Sequence, residues 1–364
     1  MSKQVVVVGG GVIGLLTAFN LAPKVDQVVV CDQGEVGRES SWAGGGIVSP
    51  LYPWRYSPAV TALAHWSQDF YPQLGERLFA STGIDPQVHT TGLYWLDLDD
   101  EAEALDWAQR EQRPLSAVDI SAAYDAVPVL GPGFKRAIYM AGVANVRNPR
   151  LVKSLKAALL AMPNVTLREH CPVSGFCQEG GRITGVHTAE GVLTADEVVL
   201  SAGAWSGDLL RTLGLELPVE PVKGQMILFK CAEDFLPSMV LAKGAMPFRV
   251  VTGTSWWAVP SSTPDTTRLP PTRRWKPQGF GGGAIAGLGE CRSGSTLGWP
   301  APWLAGRDSL YRASAGARRA VVELRALPQW AGAGARIVPA VHRPVDRRSA
   351  DHRSGALCAR CASG

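Results

Sequence analysis

The sequence lacks any run of eighteen apolar residues, so no segment has the length and composition of a membrane-spanning helix. Its first residues also lack the apolar core and the small-residue cleavage site of a secretory signal peptide. Of its 364 residues, 46% are apolar, and the mean hydropathy is +0.03, as in a globular protein. We therefore expect a cytoplasmic protein without a membrane partner.

Cysteine is sparse and follows no metal-binding pattern. The seven cysteines are scattered, and the C-x-x-C formed by Cys358 and Cys361 has no second pair to complete a zinc site. We therefore predict no metal site and no disulfide framework, and we expect the thiols to remain mostly unpaired in a reducing cytoplasm.

Acidic residues are scarce in the last third of the sequence. Residues 245–364 contain 17 Lys and Arg but only 6 Asp and Glu, whereas residues 1–244 contain 19 and 26. The same third holds six of the twelve tryptophans. Arginine pairs such as Arg273-Arg274, with tryptophans between them, would suit phosphate contact and base stacking. A basic nucleic-acid-binding tail and a disordered tail are therefore two alternatives for this region.

The beginning of the chain has the pattern of a strand, a turn, a helix and a second strand. Residues 5–8 are four consecutive valines, which is typical of a strand buried on both faces. An apolar helix follows over Val12–Leu21 and is stopped by Pro23, and a second buried strand covers Gln27–Cys31. This order predicts a βαβ unit with a parallel sheet.

The turn of this unit carries a dinucleotide-binding fingerprint. Gly9, Gly11 and Gly14 form G-x-G-x-x-G, which lets the backbone approach a pyrophosphate at the N-terminus of the helix. Asp32 follows the second strand, where an acid can bond a ribose hydroxyl and would repel the extra phosphate of NADP. The fingerprint alone leaves FAD and NAD, and thus an NAD-dependent dehydrogenase, as alternatives.

Two later segments indicate further backbone contact with a ligand. Residues 44–46 are three consecutive glycines followed by Ile47, and such a backbone lets a large flat group lie against the main chain. A buried strand over Glu197–Leu200 ends in small residues. Between them, Asn148 and Pro149 fit the N-cap and first position of a helix. This order predicts a discontinuous cofactor domain with an inserted substrate domain.

Over residues 4–244 the sequence resembles the FAD-dependent glycine and D-amino-acid oxidases, and among them the bacterial glycine oxidases of thiamine biosynthesis. The resemblance is carried by Gly9-x-Gly11-x-x-Gly14, Asp32, residues 37–46, Asn148-Pro149 and residues 199–205. It implies oxidation of glycine or a small D-amino acid by FAD and oxygen to an imine, which hydrolyses to the keto acid, with release of hydrogen peroxide. It also implies an arginine for the substrate carboxylate, which a guanidinium binds through two parallel bonds.

The resemblance further implies a set of FAD contacts. The implied residues are Gly9, Gly11 and Gly14 at the pyrophosphate, Asp32 at the ribose, Ser40, Ser41, Gly45 and Gly46 along the pyrophosphate and flavin, Ile47 near the active face, Val173 at the adenine, and Ala202, Gly203 and Trp205 along the cofactor. It assigns no catalytic residue within residues 1–244. The oligomeric state stays open.

Residues 245–364 lack the carboxylate-binding arginine and the glycine-rich flavin loop that this family carries late in its sequence. Codons permitted for residues 245–259, read from the third base of the Ala245 codon, can give HAIPRRDGHLLVGS, which resembles the family there. Residues 296–308, read from the second base, can give HWAGLRPGSPEG, which contains the missing arginine. Residues 321–332, read likewise, can give WLNCGHYRNGL, which resembles the missing loop. We therefore predict that the chain is out of frame from about Ala245, with a second slip farther on, and we expect no nucleic-acid partner.

The predicted fold class is α/β, with a Rossmann-like FAD-binding domain, an inserted α+β substrate domain, and a C-terminal third that does not match the fold. We assign residues 1–75 and 142–213 to the FAD-binding domain and residues 76–141 and 214–244 to the substrate domain. Residues 245–364 form the frame-shifted or disordered tail. A frame-shifted chain could also be a catalytically inactive remnant that binds FAD weakly or not at all.

Overall fold

The computed structural model describes residues 3–216, 219–230, 236–242, 246–250, 254–259, 292–304 and 320–322, with side chains over residues 3–216 and 236–242. The helices are α1 (Val12–Leu21), α2 (Ser40–Ala43), α3 (Pro58–Thr82), α4 (Glu101–Arg110), α5 (Ile120–Ala126), α6 (Asn148–Leu160) and α7 (Ser206–Arg211). The strands are β1 (Gln4–Val8), β2 (Gln27–Cys31), β3 (Val88–Thr90), β4 (Leu93–Leu96), β5 (Leu115–Val118), β6 (Ala137–Met140), β7 (Ala144–Val146), β8 (Val165–Arg168), β9 (Val173–Glu179), β10 (Arg182–Thr188), β11 (Gly191–Thr194), β12 (Glu197–Leu200), β13 (Val219–Lys230), β14 (Met239–Ala242), β15 (Met246–Val250), β16 (Thr254–Val259), β17 (Arg292–Leu304) and β18 (Ala320–Val322).

A parallel sheet with the strand order β18-β12-β1-β2-β8 forms the centre of the fold. Strands β1, β2 and β12 are buried on both faces because successive side chains alternate between two cores. Val5 and Val7 pack with α1, α3 and α6 on one face. Val6 and Val8 pack on the other face against the hairpin that β9 and β10 form. The valine run is thus explained by a sheet that is covered on both sides.

The hairpin between β9 and β10 turns at Gly180 and Gly181, as the sequence predicts. Both glycines have positive φ, 55° and 74°, which matches the tight two-residue turn that suits the twist of the strands. The third strand of this sheet, β11, pairs with β10 in antiparallel orientation.

A second sheet, with the order β14-β4-β6-β5, carries the other large cores. Trp95 and Trp107 are buried between one face of this sheet and α4. On the opposite face, Tyr94 and Leu96 pack with Ala123 of α5. This sheet and its helices agree with the predicted α+β region. The predicted boundary at residue 75 falls within α3, and the domain boundaries stay a prediction.

The sequence patterns overlook several short elements and merge two strands. Residues 137–144 are predicted as one strand, but a turn at Ala141 and Gly142 divides them into β6 and β7. The pattern does not identify β5, α5 or β14, which have four, seven and four residues.

Four strands lie within the C-terminal third, where the sequence shows no periodic pattern. The backbones of β15, β16 and β17 join β13 in an antiparallel sheet, and β18 pairs in parallel with β12. The remaining residues of this third lie outside the described part of the chain. The α/β Rossmann-like fold class is confirmed for the front of the chain, and the out-of-frame interpretation stays a prediction. Over the described ranges, no helix has the length and apolar content needed to cross a bilayer.

We predict that Leu155→Ala lowers the free energy of unfolding by about 2–5 kcal/mol, because the leucine is fully buried between α6 and the parallel sheet. Leu160→Ala is the matched control on the same helix, since Leu160 is 62% exposed, and it should change stability by less than about 0.5 kcal/mol. Urea unfolding of both variants measures the difference. Equal losses would contradict this assignment of the core.

Candidate cofactor site

A cleft opens at the carboxyl ends of β1, β2 and β12, where ligands bind in open parallel sheets. Its cavity volume is about 220 Å³. It is lined by Val8, Gly9, Gly11, Val12, Ile13, Cys31, Asp32, Gln33, Glu35, Gly37, Arg38, Glu39, Ser40, Ser41, Cys171, Pro172, Val173, Ser201, Ala202, Gly203, Trp205, Asp208 and Leu209. Nine residues from the predicted FAD contacts are in this lining: Gly9, Gly11, Asp32, Ser40, Ser41, Val173, Ala202, Gly203 and Trp205.

The fingerprint glycines bring three backbone segments close together. Gly9 has a φ of +104°, and a Cβ added there would lie 2.4 Å from the carbonyl oxygen of Ser201. A Cβ on Gly14 would lie 1.9 Å from the carbonyl oxygen of Gly9. Gly14 therefore lies beneath the cleft rather than in its wall, and it allows α1 to pack directly against the end of β1.

The hydroxyl of Ser41 lies at the N-terminus of α1. The backbone N–H of Val12 donates to the Ser41 Oγ over 2.8 Å, which satisfies one of the unpaired donors of the first helical turn. An oxygen that accepts this bond still has its own proton to donate. Ser41 is thus placed to extend the donor capacity of the helix terminus toward an anion in the cleft.

Asp32 is held by two backbone donors at the end of β2. Its Oδ2 accepts from the N–H of Gly10 over 2.7 Å, and its Oδ1 accepts from the N–H of Gly34 over 2.8 Å. Burial raises the pKa of the carboxyl above its usual value, and the two N–H donors partly oppose that shift. A carboxylate with two bonds accepted keeps further lone pairs, so it can accept a hydroxyl hydrogen.

Two cysteines and a proline form the wall beside Asp32. The N–H of Cys171 donates to the backbone oxygen of Asp32 over 2.7 Å, which places Pro172 and Val173 along the cleft. Burial, reinforced by the neighbouring Cys171, raises the pKa of the Cys31 thiol to about 12. Cys31 is therefore protonated at neutral pH and contributes an apolar surface. Neither cysteine is singled out by the sequence patterns, which carry no signal that would have identified them.

Residues after β12 form the opposite wall. The chain turns at Gly203, with a φ of +55°, into a short 3-10 segment that ends at Trp205. Ala202, Gly203 and Trp205 line the cleft. The second close approach of the backbone to a ligand, expected from the small residues after this strand, stays a prediction.

Gly45, Gly46 and Ile47 do not belong to the lining of this cleft. Gly46 has a φ of +72°, and a Cβ there would lie 1.9 Å from the carbonyl oxygen of Val146. Ile47 is buried and forms an isolated bridge with Asn145. The triple-glycine segment therefore runs from the cleft toward β7, and the roles that the resemblance implies for these three residues stay predictions.

The predicted capping role of Asn148 is wrong. Arg147 occupies the N-cap position, and Asn148 is the first residue of α6. Its side-chain amide instead donates to the backbone oxygen of Gly44 over 2.5 Å. The asparagine that resembles a local helix cap therefore bonds a segment 104 residues away.

Arg38 is a charged residue of the cleft lining. It lies within residues 37–46, which carry the resemblance, but the sequence assigns it no role. Its guanidinium lies 4.2 Å from the ring centroid of Trp42 and forms a 3.1 Å ion pair with Glu35. Both charged side chains are about half exposed, so the ion pair contributes little to stability. The stacking on Trp42 nevertheless holds the Arg38 guanidinium along the edge of the cleft.

The expected carboxylate-binding arginine and flavin loop fall on residues after 244 that lie outside the described side chains. The described part of the chain thus forms this cleft but not the whole of a substrate pocket.

Comparisons with known proteins agree with this geometry. A family model described as DAO, FAD dependent oxidoreductase, matches residues 4–363. A glycine oxidase of Pseudomonas putida is 91% identical over 251 residues, which is 68% of this chain and 69% of the relative. A glycine oxidase of Pseudomonas aeruginosa is 66% identical over the same shares. The aligned length of 251 residues is close to that of residues 4–244, over which the sequence resembles this family.

Solved structures share the fold at low sequence identity. A glycine oxidase from Geobacillus kaustophilus superimposes with a TM-score of 0.82 at 22% identity, covering 93% of both chains. An iminodiacetate oxidase from Chelativorans sp. gives a TM-score of 0.79 at 22% identity, covering 94% of this chain and 98% of that one. These neighbours support the Rossmann-like architecture.

We predict that Gly14→Ala lowers the free energy of unfolding by about 1–3 kcal/mol, because the new methyl group would overlap the Gly9 carbonyl oxygen and force α1 away from β1. Gly142→Ala is the control, since no atom lies within 4 Å of a Cβ at that position. Urea unfolding should show less than about 0.5 kcal/mol of change for the control. Similar losses in both variants would contradict the close approach.

Proposed function

Because the chain belongs to the DAO family of FAD-dependent oxidoreductases, we propose that it is an oxidase that binds FAD and deaminates glycine or a small D-amino acid. The imine product hydrolyses to the keto acid, and oxygen is reduced to hydrogen peroxide. The proposal rests on the 91% identity to a glycine oxidase over 68% of the chain.

The residues of the cleft fit FAD. Only glycine fits at position 9, because a Cβ there would overlap the carbonyl oxygen of Ser201. The N-terminus of α1 and the Ser41 hydroxyl offer hydrogen-bond donors for a pyrophosphate. Asp32 offers acceptor lone pairs for the hydroxyls of a ribose. Val173 and Pro172 offer an apolar wall for an adenine. We infer that these residues hold the adenosine and pyrophosphate portions of FAD.

The division of labour follows from this arrangement. FAD, when bound, supplies the electron acceptor for the α-carbon hydride of the amine and passes the electrons on to oxygen. The chain orients the cofactor through the backbone of Gly9 and Gly11 and through Asp32. Orientation of the substrate requires a cation for its carboxylate, and a guanidinium would serve best. That cation is expected after residue 244.

A second candidate is that the chain is a frame-shifted remnant of such an oxidase and is catalytically inactive. The out-of-frame signature of residues 245–364 favours it, since this region would otherwise supply the arginine and the flavin loop. Loss of both would weaken retention of FAD and remove a charge-assisted pair that contributes about 1.5–3 kcal/mol to binding. Nucleotide sequencing around codons 240–250 and 275–295 tests the interpretation directly, because an insertion or deletion there would restore the family pattern.

The activity of the full chain separates the two candidates. We expect the purified protein to be yellow, to release FAD on denaturation, and to form peroxide with glycine. The matched control is the same gene with its frame restored after codon 245. A colourless chain that is inactive with glycine and small D-amino acids, beside an active control, would reject the oxidase and favour the remnant. Release of NAD instead of FAD would reject both.

We also predict that Ser41→Ala weakens FAD binding by about tenfold, because the cleft would lose a hydroxyl donor at the helix terminus. Ser67→Ala is the control: its buried hydroxyl donates to the backbone oxygen of Leu63 over 2.8 Å, in a helix that does not line the cleft. Fluorescence titration of FAD into apoprotein gives both dissociation constants. Equal effects would argue against a phosphate contact by Ser41.

A further inference from the structure

Asn148 connects the start of α6 to the triple-glycine segment, residues 44–46. The residue is 2% exposed. Its Nδ2 donates to the backbone oxygen of Gly44 over 2.5 Å, across a separation of 104 residues. This short, partly buried hydrogen bond ties the backbone carbonyl of Gly44 to α6.

The other side-chain atom of Asn148 faces the same segment. Its Oδ1 is buried and accepts no hydrogen bond within the described part of the chain. The position of a Cβ on Gly46 would lie 2.8 Å from this oxygen. The amide thus lies against both ends of the triple-glycine segment, and a side chain at position 46 would overlap the backbone oxygen of Val146.

Backbone bonds complete this connection from the side of β7. The N–H of Val146 donates to the oxygen of Gly46 over 2.7 Å, and the N–H of Val48 donates to the oxygen of Ala144 over 2.9 Å. Ile47 and Asn145 form the bridge between the two segments. Gly45 is therefore the centre of a short backbone span held at both ends, at Gly44 by a side chain and at Gly46 by a backbone donor.

We propose that Asn148 is a positioning residue that fixes the backbone of residues 44–46 in the shape that receives the flavin ring. The inference rests on the proposed function, since the ring is expected to lie along Gly45 and Gly46. Three consecutive glycines have high conformational freedom, so a segment without an external tether would lose more entropy on ordering. The Asn148 amide removes part of that freedom before the cofactor arrives.

The test compares Asn148→Ala with Ser154→Ala in the full-length chain. Ser154 is the matched control because it is fully buried on the same helix and donates to the backbone oxygen of Leu151 over 2.9 Å without contacting the glycine segment. Amide hydrogen exchange of peptides covering residues 40–48 is measured in the apoprotein. We expect faster exchange over residues 44–47 in Asn148→Ala only; unchanged exchange, or equal acceleration in Ser154→Ala, would overturn the proposal.

The second measurement is FAD binding. Asn148→Ala should raise the dissociation constant by about tenfold and shift the visible spectrum of the bound flavin toward that of free FAD, whereas Ser154→Ala should leave both unchanged. Faster exchange with unaltered affinity and spectrum would show a tether that does not serve the flavin, and would reject the proposal. If the unaltered chain binds no FAD, the proposed function fails, and the exchange result still decides whether Asn148 holds the segment.

Discussion

The cleft depends on one close approach, that of α1 to the end of β1. The missing side chain of Gly14 lets the helix lie against the Gly9 carbonyl, and a single methyl group would fill that space. Only in this position does the helix direct its unpaired N–H groups and dipole into the cleft. The Ser41 hydroxyl and the turn after β12 are arranged around the same point. The direction of these N–H groups into the cleft is therefore a property of packing rather than of charged side chains.

Local sequence patterns predict those parts of the structure in which the conformation of a residue is set by residues adjacent to it in the sequence. The valine run, the glycine fingerprint and the Gly180-Gly181 turn belong to this class, and the sheet, the cleft and the hairpin follow from them. Asn148 shows the limit of such reasoning. Its sequence context is that of a helix cap, but its amide bonds Gly44, and only the tertiary structure places these two residues together.

The cleft wall beside Asp32 was similarly hidden from sequence analysis. Cys171 and Pro172 reach the cofactor side because a backbone bond from Cys171 to Asp32 brings the strand entry of β9 to the end of β2. No spacing in the sequence encodes that contact. In the C-terminal third the order of the residues shows no periodicity for β15 to β18, so the sequence did not predict these strands. The out-of-frame interpretation of this region stays a prediction.

The protonated thiol of Cys31 has a chemical consequence for an enzyme of this kind. Oxidants attack the thiolate rather than the thiol, and a pKa of about 12 leaves almost no thiolate at neutral pH. A sulfur atom can therefore line the cleft beside Asp32 without being consumed by oxidants. Burial therefore makes the Cys31 thiol a poor nucleophile and at the same time protects it from oxidation.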